Sequence, residues 1–150
     1  MSAGLKLDAY LPYRLSVASN AVSELISRAY QDRFGLSVPQ WRLICVLAED
    51  GALTQGQLVA RTVMDKVTVS RAAQGLVQRG LLVRLENGKD GRSHILAMAP
   101  EGEALYAHVA PLAVEFERAL LDQWSAEDVE RLHEQLKRLQ HTAAVLAGLR

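Results

Sequence analysis

Three closely spaced helix-start signals, followed by a change of apolar period, constrain this chain most. Ser37 and Gln40 stand three apart, as a capping box requires, ahead of Trp41, Ile44, Cys45 and Ala48 on one helical face, and the run stops at Asp50-Gly51. Thr54 and Gln57 make a second box, with Leu53 placed to staple onto Leu58, which predicts a short helix over 55–61. Asp65 marks a third start, with Met64 and Val69 as staple partners, for a helix over 66–79 that Gly80 closes. Beyond Gly80 the helical period is lost. Leu82-Val83-Arg84-Leu85 reads as a strand, Glu86-Asn87-Gly88-Lys89-Asp90-Gly91-Arg92 as a charged turn, and Ile95-Leu96-Ala97-Met98 as the returning strand of a hairpin. Two helices joined by a tight turn and followed by a hairpin form the winged helix-turn-helix arrangement.

Long amphipathic segments flank this module. Over 8–34, Leu11, Leu15, Ala18, Val22, Leu25 and Ala29 recur at alternating steps of four and three, one face of a single helix, and Gly35 ends it. Pro100 suits the first turn of a helix carrying Leu105, Val109, Leu112, Phe116 and Leu120, which Pro111 is expected to bend or split. Ser125 and Asp128 open the last helix, with Trp124 and Val129 as staple partners and Val129, Leu132, Leu136, Leu139, Ala143 and Leu146 on one face. The expected fold is mainly α with a small β-hairpin wing, an α+β winged helix-turn-helix with helices at both ends for dimerisation. It is read as one domain over 1–150, with a DNA-binding lobe at 37–99 and dimerisation helices at 8–34 and 100–147. One chain of this length cannot easily bury all of these stripes, so a second copy is the expected partner.

Composition narrows the function. Apolar residues make up 49% of the chain, enough for a packed core, and the single cysteine excludes an internal disulfide or a cysteine-based zinc cluster. The four histidines, His94, His108, His133 and His141, lack metal-ligand spacing, so no metal or cofactor is expected. No apolar run follows the start and none approaches the ~18 residues of a membrane span, so the expectation is a cytoplasmic chain without membrane contact. No nucleophile–base pair, paired carboxylates or glycine-rich phosphate loop appears, so no enzyme is expected. Basic and acidic residues balance at 17 each, but unevenly: residues 61–92 hold seven basic side chains (Arg61, Lys66, Arg71, Arg79, Arg84, Lys89, Arg92) against three acidic ones (Asp65, Glu86, Asp90). The tail over 101–147 is acidic, with nine acidic side chains against four basic. A local basic face is what phosphate binding needs, whatever the total.

On the helix over 66–79, Val69, Ala73, Leu76 and Val77 are expected to face inward, leaving Lys66, Thr68, Ser70, Arg71, Gln74 and Gln78 for DNA. Arginine pairs with guanine, glutamine with adenine, and hydroxyls reach bases or phosphates. Thr54 and Gln55, at the start of the supporting helix, can offer backbone amides to a phosphate. At the wing tip, Lys89, Asp90 and Arg92 suit the minor groove, with Asp90 steadying Arg92. The other reading of the helix face is a solvated stripe, and of the wing tip a plain surface turn.

These motifs carry a resemblance. Phe34-Gly35-Leu36-Ser37-Val38-Pro39-Gln40-Trp41, Met64-Asp65-Lys66-Val67-Thr68-Val69-Ser70-Arg71, the Gly80-Leu81-Leu82 step, the wing Asp90-Gly91-Arg92 and Leu96-Ala97-Met98-Ala99-Pro100-Glu101-Gly102 together resemble the multiple-antibiotic-resistance regulator (MarR) family over nearly the whole chain. One departure is Ala99, where the family often places a capping Thr or Ser, at a cost of about 1 kcal/mol. The resemblance implies a homodimer whose two winged modules read a pseudo-palindromic operator in double-stranded DNA. It also implies a repressor released by a small aromatic acid, phenolic or aromatic acyl-coenzyme A ligand. The matching ligand region is lined by Tyr10, Tyr13, Arg14 and Val17 on the first helix and Trp41, Arg42 and Cys45 on the second. Two other readings stay open: a redox sensor acting through Cys45, although a thiol on an apolar face is expected to have a raised pKa and be inert, and a winged-helix module that binds proteins.

Overall fold

The local signals settle most of the helix boundaries. In the computed structural model, which describes residues 4–88 and 94–148, both capping boxes close reciprocally. The Ser37 hydroxyl accepts the Gln40 N–H and the Gln40 side chain accepts the Ser37 N–H, starting helix α3, Val38–Asp50. Thr54 and Gln57 do the same for α4, Gln55–Thr62. Asp65 caps α5, Lys66–Gln78. Its far end closes as a Schellman motif: the Leu81 N–H donates to the Leu76 carbonyl, the Gly80 N–H to that of Val77, and Gly80 takes the left-handed φ of 74° that glycine tolerates best.

Upstream lie α1, Leu11–Ser27, and the single turn α2, Gln31–Phe34. The one continuous helix expected over 8–34 is therefore broken: a 3-10 turn at Leu7–Ala9 precedes α1, and a turn at 28–30 separates α1 from α2. The break has a packing cause. Ala29 and Tyr30 are buried, and the ring of Tyr30 lies stacked on Trp41, so the chain leaves helical geometry to put both inside.

The hairpin consists of β2, Leu82–Glu86, and β3, His94–Met98, paired antiparallel with Leu82 opposite Met98 and Glu86 opposite His94. A third strand, β1 at Leu53–Thr54, pairs with the other side of β3, giving the order β1-β3-β2. It is two residues long, too short for alternation to reveal.

Helix α6, Pro100–Leu120, follows directly. Pro111 lies inside it and does not split it: proline removes one backbone hydrogen bond and the helix runs on. The last helix, α7, is Ala126–Gly148, with the Ser125 hydroxyl accepting the Asp128 N–H at its start.

The chain divides into two compact units, one up to Val114 and the other from Glu115. In the first, Leu36, Leu43, Ile44, Leu58, Val69, Ala73, Leu76, Leu82, Leu96 and Val109 are fully or almost fully buried, so α3, α4, α5 and the sheet share one core. Each such leucine removes apolar surface worth about 1.5–3 kcal/mol. On α3 the inward residues are Trp41, Leu43, Ile44, Val46 and Leu47, while Ala48 is exposed and Cys45 half-buried, so the face drawn from the sequence is rotated. Helix α1 buries only Ser27 and leaves Leu11, Leu15 and Val22 exposed. In the second unit α7 buries no residue within the single chain, Leu136 and Leu146 stay exposed, and the expected staple residue Trp124 is exposed as well.

Candidate nucleic-acid interface

Helix α5 is held by its cap, by its packing on α3 and α4, and by an anchor at its far end. Asp65 accepts the Thr68 N–H at Oδ1 and the Thr68 hydroxyl at Oδ2, both at 2.8 Å. These two bonds, the backbone one first, hold the Asp65 carboxyl below the usual carboxylate range. They also occupy the Thr68 hydroxyl, which in this arrangement serves the cap. At the other end the Arg79 guanidinium donates to the carbonyls of Phe34, at 2.6 Å, and Gly35, at 3.4 Å, tying the end of α5 to the end of α2. Between them Gly75 lets α5 approach α3: a β-carbon there would stand 2.7 Å from Gln40 Nε2.

The buried residues of α5 are Val69, Ala72, Ala73 and Leu76, with Val77 only half-buried. The opposite side is an exposed stripe of Val67, Arg71, Gln74 and Gln78, at steps of four, three and four, with Ser70 half-exposed beside it and Lys66 exposed at the helix start. Of the predicted DNA-reading residues, Arg71, Gln74, Gln78 and Ser70 thus share one face. Val67, at its head, was missed by a reading that looked only for polar side chains.

The basic island separates into two groups. Arg61 donates to Asp50, at 3.1 Å, and Glu49, at 3.3 Å, and Arg79 is spent on the two carbonyls. Lys66, Arg71 and Arg84 form no ion pair among the described residues and stay available to an external anion. Arg71 also lines a groove of about 380 Å³ with Thr68, Ala72 and the start of α3 at Ser37, Pro39 and Gln40. Helix N-termini carry partial positive charge, so this groove adds to the same field.

Thr54 sits at the cap of α4 and Gln55 at its first position, both half-buried. The capping box takes up the amides of Thr54 and Gln57 and leaves those of Gln55 and Gly56 without an intrahelical acceptor, as a phosphate contact requires. The turn from α4 to α5 passes through Val63, whose φ of 57° is left-handed, an uncommon state for a β-branched residue. The Thr62 hydroxyl braces this turn by donating to the Leu58 carbonyl at 2.6 Å. Lys89, Asp90 and Arg92 lie outside the described residues.

Three of the seven residues of the expected ligand region line one cavity. Trp41 is buried in an aromatic stack, 5.3 Å from Tyr30 and 5.8 Å from Tyr106. Trp41, Arg42 and Cys45 line a cavity of about 320 Å³ together with Val46, Glu49, Arg61 and Thr62. Tyr10, Arg14 and Val17 are exposed on or just before α1 and Tyr13 is half-buried there, and none of the four lines that cavity. Burial, reinforced by Glu49, pushes the Cys45 thiol up to about 11. Burial also raises the Tyr30 phenol, against the pull of Arg42. Among the described residues no cluster of three or more His, Cys, Asp or Glu side chains could hold a metal, and no helix is long and apolar enough to cross a membrane.

Comparison with known proteins places this geometry. A family model described as MarR family matches residues 34–93. The homoprotocatechuate degradative operon repressor of Escherichia coli is 27% identical over 100 residues, covering 67% of this chain and 68% of that protein. The crystal structure of a probable transcriptional regulator from Pseudomonas aeruginosa aligns with a TM-score of 0.81 at 30% identity, over 89% of this chain and 99% of that one. BpsR of Bordetella bronchiseptica, whose DNA binding is regulated by 6-hydroxynicotinic acid, shares the fold with a TM-score of 0.79 at 21% identity, over 87% and 98% of the two chains.

Proposed function

The chain belongs to the MarR family, and on that premise we propose that it is a sequence-specific, DNA-binding transcriptional repressor working as a homodimer on a pseudo-palindromic operator. The observation that carries the reading is the outward stripe of α5, where Arg71, Gln74 and Gln78 stand exposed beside Lys66 while the acid next to them, Asp65, is committed to its cap. Arginine and glutamine at this spacing offer paired hydrogen bonds to successive base edges in a major groove. Residues 37–99 serve as the DNA-binding lobe in the cytoplasm, with the wing residues Lys89, Asp90 and Arg92 reaching the flanking minor groove. The exposed apolar stripes of α1 and α7, within 8–34 and 100–147, support a second copy as the surface that covers them.

The proposed signal is a small aromatic acid, phenolic or aromatic acyl-coenzyme A. Its support is the cavity that Arg42 lines with Trp41 and Cys45, and the likeness to a protein regulated by 6-hydroxynicotinic acid. The raised Cys45 thiol favours this signal over oxidation, since a neutral thiol is a poor nucleophile.

Gel-shift titration at two salt concentrations tests the DNA reading. Specific binding that weakens steeply with salt is expected, and Arg71→Ala is expected to lose about 1–3 kcal/mol of affinity together with discrimination at one base. No specific complex at either salt would remove the proposal. Adding 6-hydroxynicotinate or benzoate while following both the shifted band and thermal unfolding tests the signal. A ligand at a hundred times its Kd stabilises by about 2.7 kcal/mol.

A further inference from the structure

We infer that Val67 is a base-reading residue whose side chain contacts the C5 methyl group of a thymine in the major groove. The inference rests on the DNA-binding reading above. Four facts meet at this side chain. Val67 is 59% exposed, an apolar group set into a face otherwise made of Lys66, Ser70, Arg71, Gln74 and Gln78. It lies on the same stripe as Arg71, Gln74 and Gln78, and that stripe is opposite the buried Val69, Ala72, Ala73 and Leu76, so it points where those three point. It is the second residue of α5, and in helix-turn-helix modules the N-terminal residues of this helix approach the base edges most closely. Its neighbour Thr68, the side chain that would otherwise compete for the same place, has its hydroxyl bound to Asp65.

Nothing in the fold of the chain requires valine here. The cap needs only Asp65 and Thr68, the helix core lies on the other side, and a β-branched residue is a modest helix former. The charges of Lys66 and Arg71 beside it, which form no ion pair among the described residues, fit a polyanion better than an apolar partner surface. On the major-groove edge of the bases the thymine methyl is the one apolar group, so DNA and an exposed valine can complement each other only there.

The experiment combines a protein change with a DNA change that removes the same contact. The full chain first selects a duplex from a random-sequence library. Each thymine of that duplex is then replaced by deoxyuridine, which deletes only the methyl, and wild type, Val67→Ala and Val67→Thr are titrated on every version. We expect one thymine per half-site whose replacement weakens wild-type binding about fourfold, the worth of one buried methyl. Val67→Ala should lose a similar factor on the parent duplex and be insensitive to deoxyuridine at that position, and Val67→Thr, which keeps one methyl, should recover part of the sensitivity. Matching far-UV circular dichroism and melting midpoints of the variants exclude a folding cause. If wild type binds specifically and with salt dependence, but every deoxyuridine effect is equal in wild type and Val67→Ala, Val67 reads no methyl while the DNA-binding reading stands. If wild type selects no duplex, both fall.

Discussion

Replacing Gly102 by alanine tests how the winged module is joined to α6. Gly102 is the third residue of that helix and buried, and a β-carbon built on it would clash with the Leu81 carbonyl oxygen and stand 3.1 Å from the Leu81 carbonyl carbon and 3.3 Å from the Met98 sulfur. The nearest neighbour is backbone and cannot swing aside. Restoring an ordinary contact means opening the gap by roughly 1 Å, an overpacking strain of about 1–3 kcal/mol. The same carbonyl accepts the Ala99 N–H at 3.0 Å, so a helix start that retreats also stretches that bond, worth about 1 kcal/mol. Against this stands the preference for alanine over glycine in a helix, at most about 1 kcal/mol. The strain wins, and Gly102→Ala is expected to destabilise by about 1–3 kcal/mol net, lowering the urea midpoint by about 1 M at typical slopes. Urea titration followed by far-UV circular dichroism, at one fixed protein concentration, measures the shift. A midpoint equal to or above that of wild type would refute the close approach and the reasoning built on it.

Gly75→Ala should behave differently, because the atom it meets is the end of the Gln40 side chain: the helix-propensity gain of about 1 kcal/mol roughly offsets a loosened capping box, and thermal unfolding should stay within about 0.5 kcal/mol of wild type. Cys45, raised from 9.0 to about 11, should hold roughly a hundredfold less thiolate than a free thiol below pH 9, so iodoacetamide should modify the native chain far more slowly than the urea-unfolded one, and equal rates would contradict its burial. The same shift makes the native state lose stability as pH rises from 9 toward 11, because the unfolded thiol ionises first; Cys45→Ala should remove that loss from the alkaline pH profile. Asp65 has the opposite sign. Its lowered carboxyl stabilises the fold above the ordinary carboxylate range and stops doing so as pH falls through the lowered value, so the advantage of wild type over Asp65→Asn in thermal melts should shrink between pH 7 and about pH 3.

Capping governs how much of the molecule is readable from its amino acids. Ser37 with Gln40, Thr54 with Gln57, Asp65 with Thr68, and the stops at Gly35, Gly51 and Gly80 all involve partners a few residues apart, so their geometry is nearly contained in the local string. The outward stripe of α5 was legible for the same reason, since a 3.6-residue period places Arg71, Gln74 and Gln78 together once Asp65 sets the start. Local reading failed where a distant contact decides. The break at 28–30 depends on Tyr30 finding Trp41, and the strand at Leu53–Thr54 on β3 being there to pair.

The sequence by itself determined the order of the three helices and hairpin of the winged module, the boundaries of those helices to within a residue, the placement of positive charge, and the Arg71, Gln74 and Gln78 part of the outward stripe of α5. Only the tertiary structure decided which of those side chains remain available. It spent Arg61 on Asp50 and Glu49, Arg79 on the carbonyls of Phe34 and Gly35, and Thr68 on Asp65, leaving Lys66, Arg71 and the apolar Val67 facing outward. It also brought Trp41, Arg42 and Cys45 to one cavity with Val46, Glu49, Arg61 and Thr62. The physical reason is one of range. Helical period and caps act over three or four residues and are written in the chain, whereas the pairing of a charge or the covering of a ring depends on what folding brings alongside it from elsewhere.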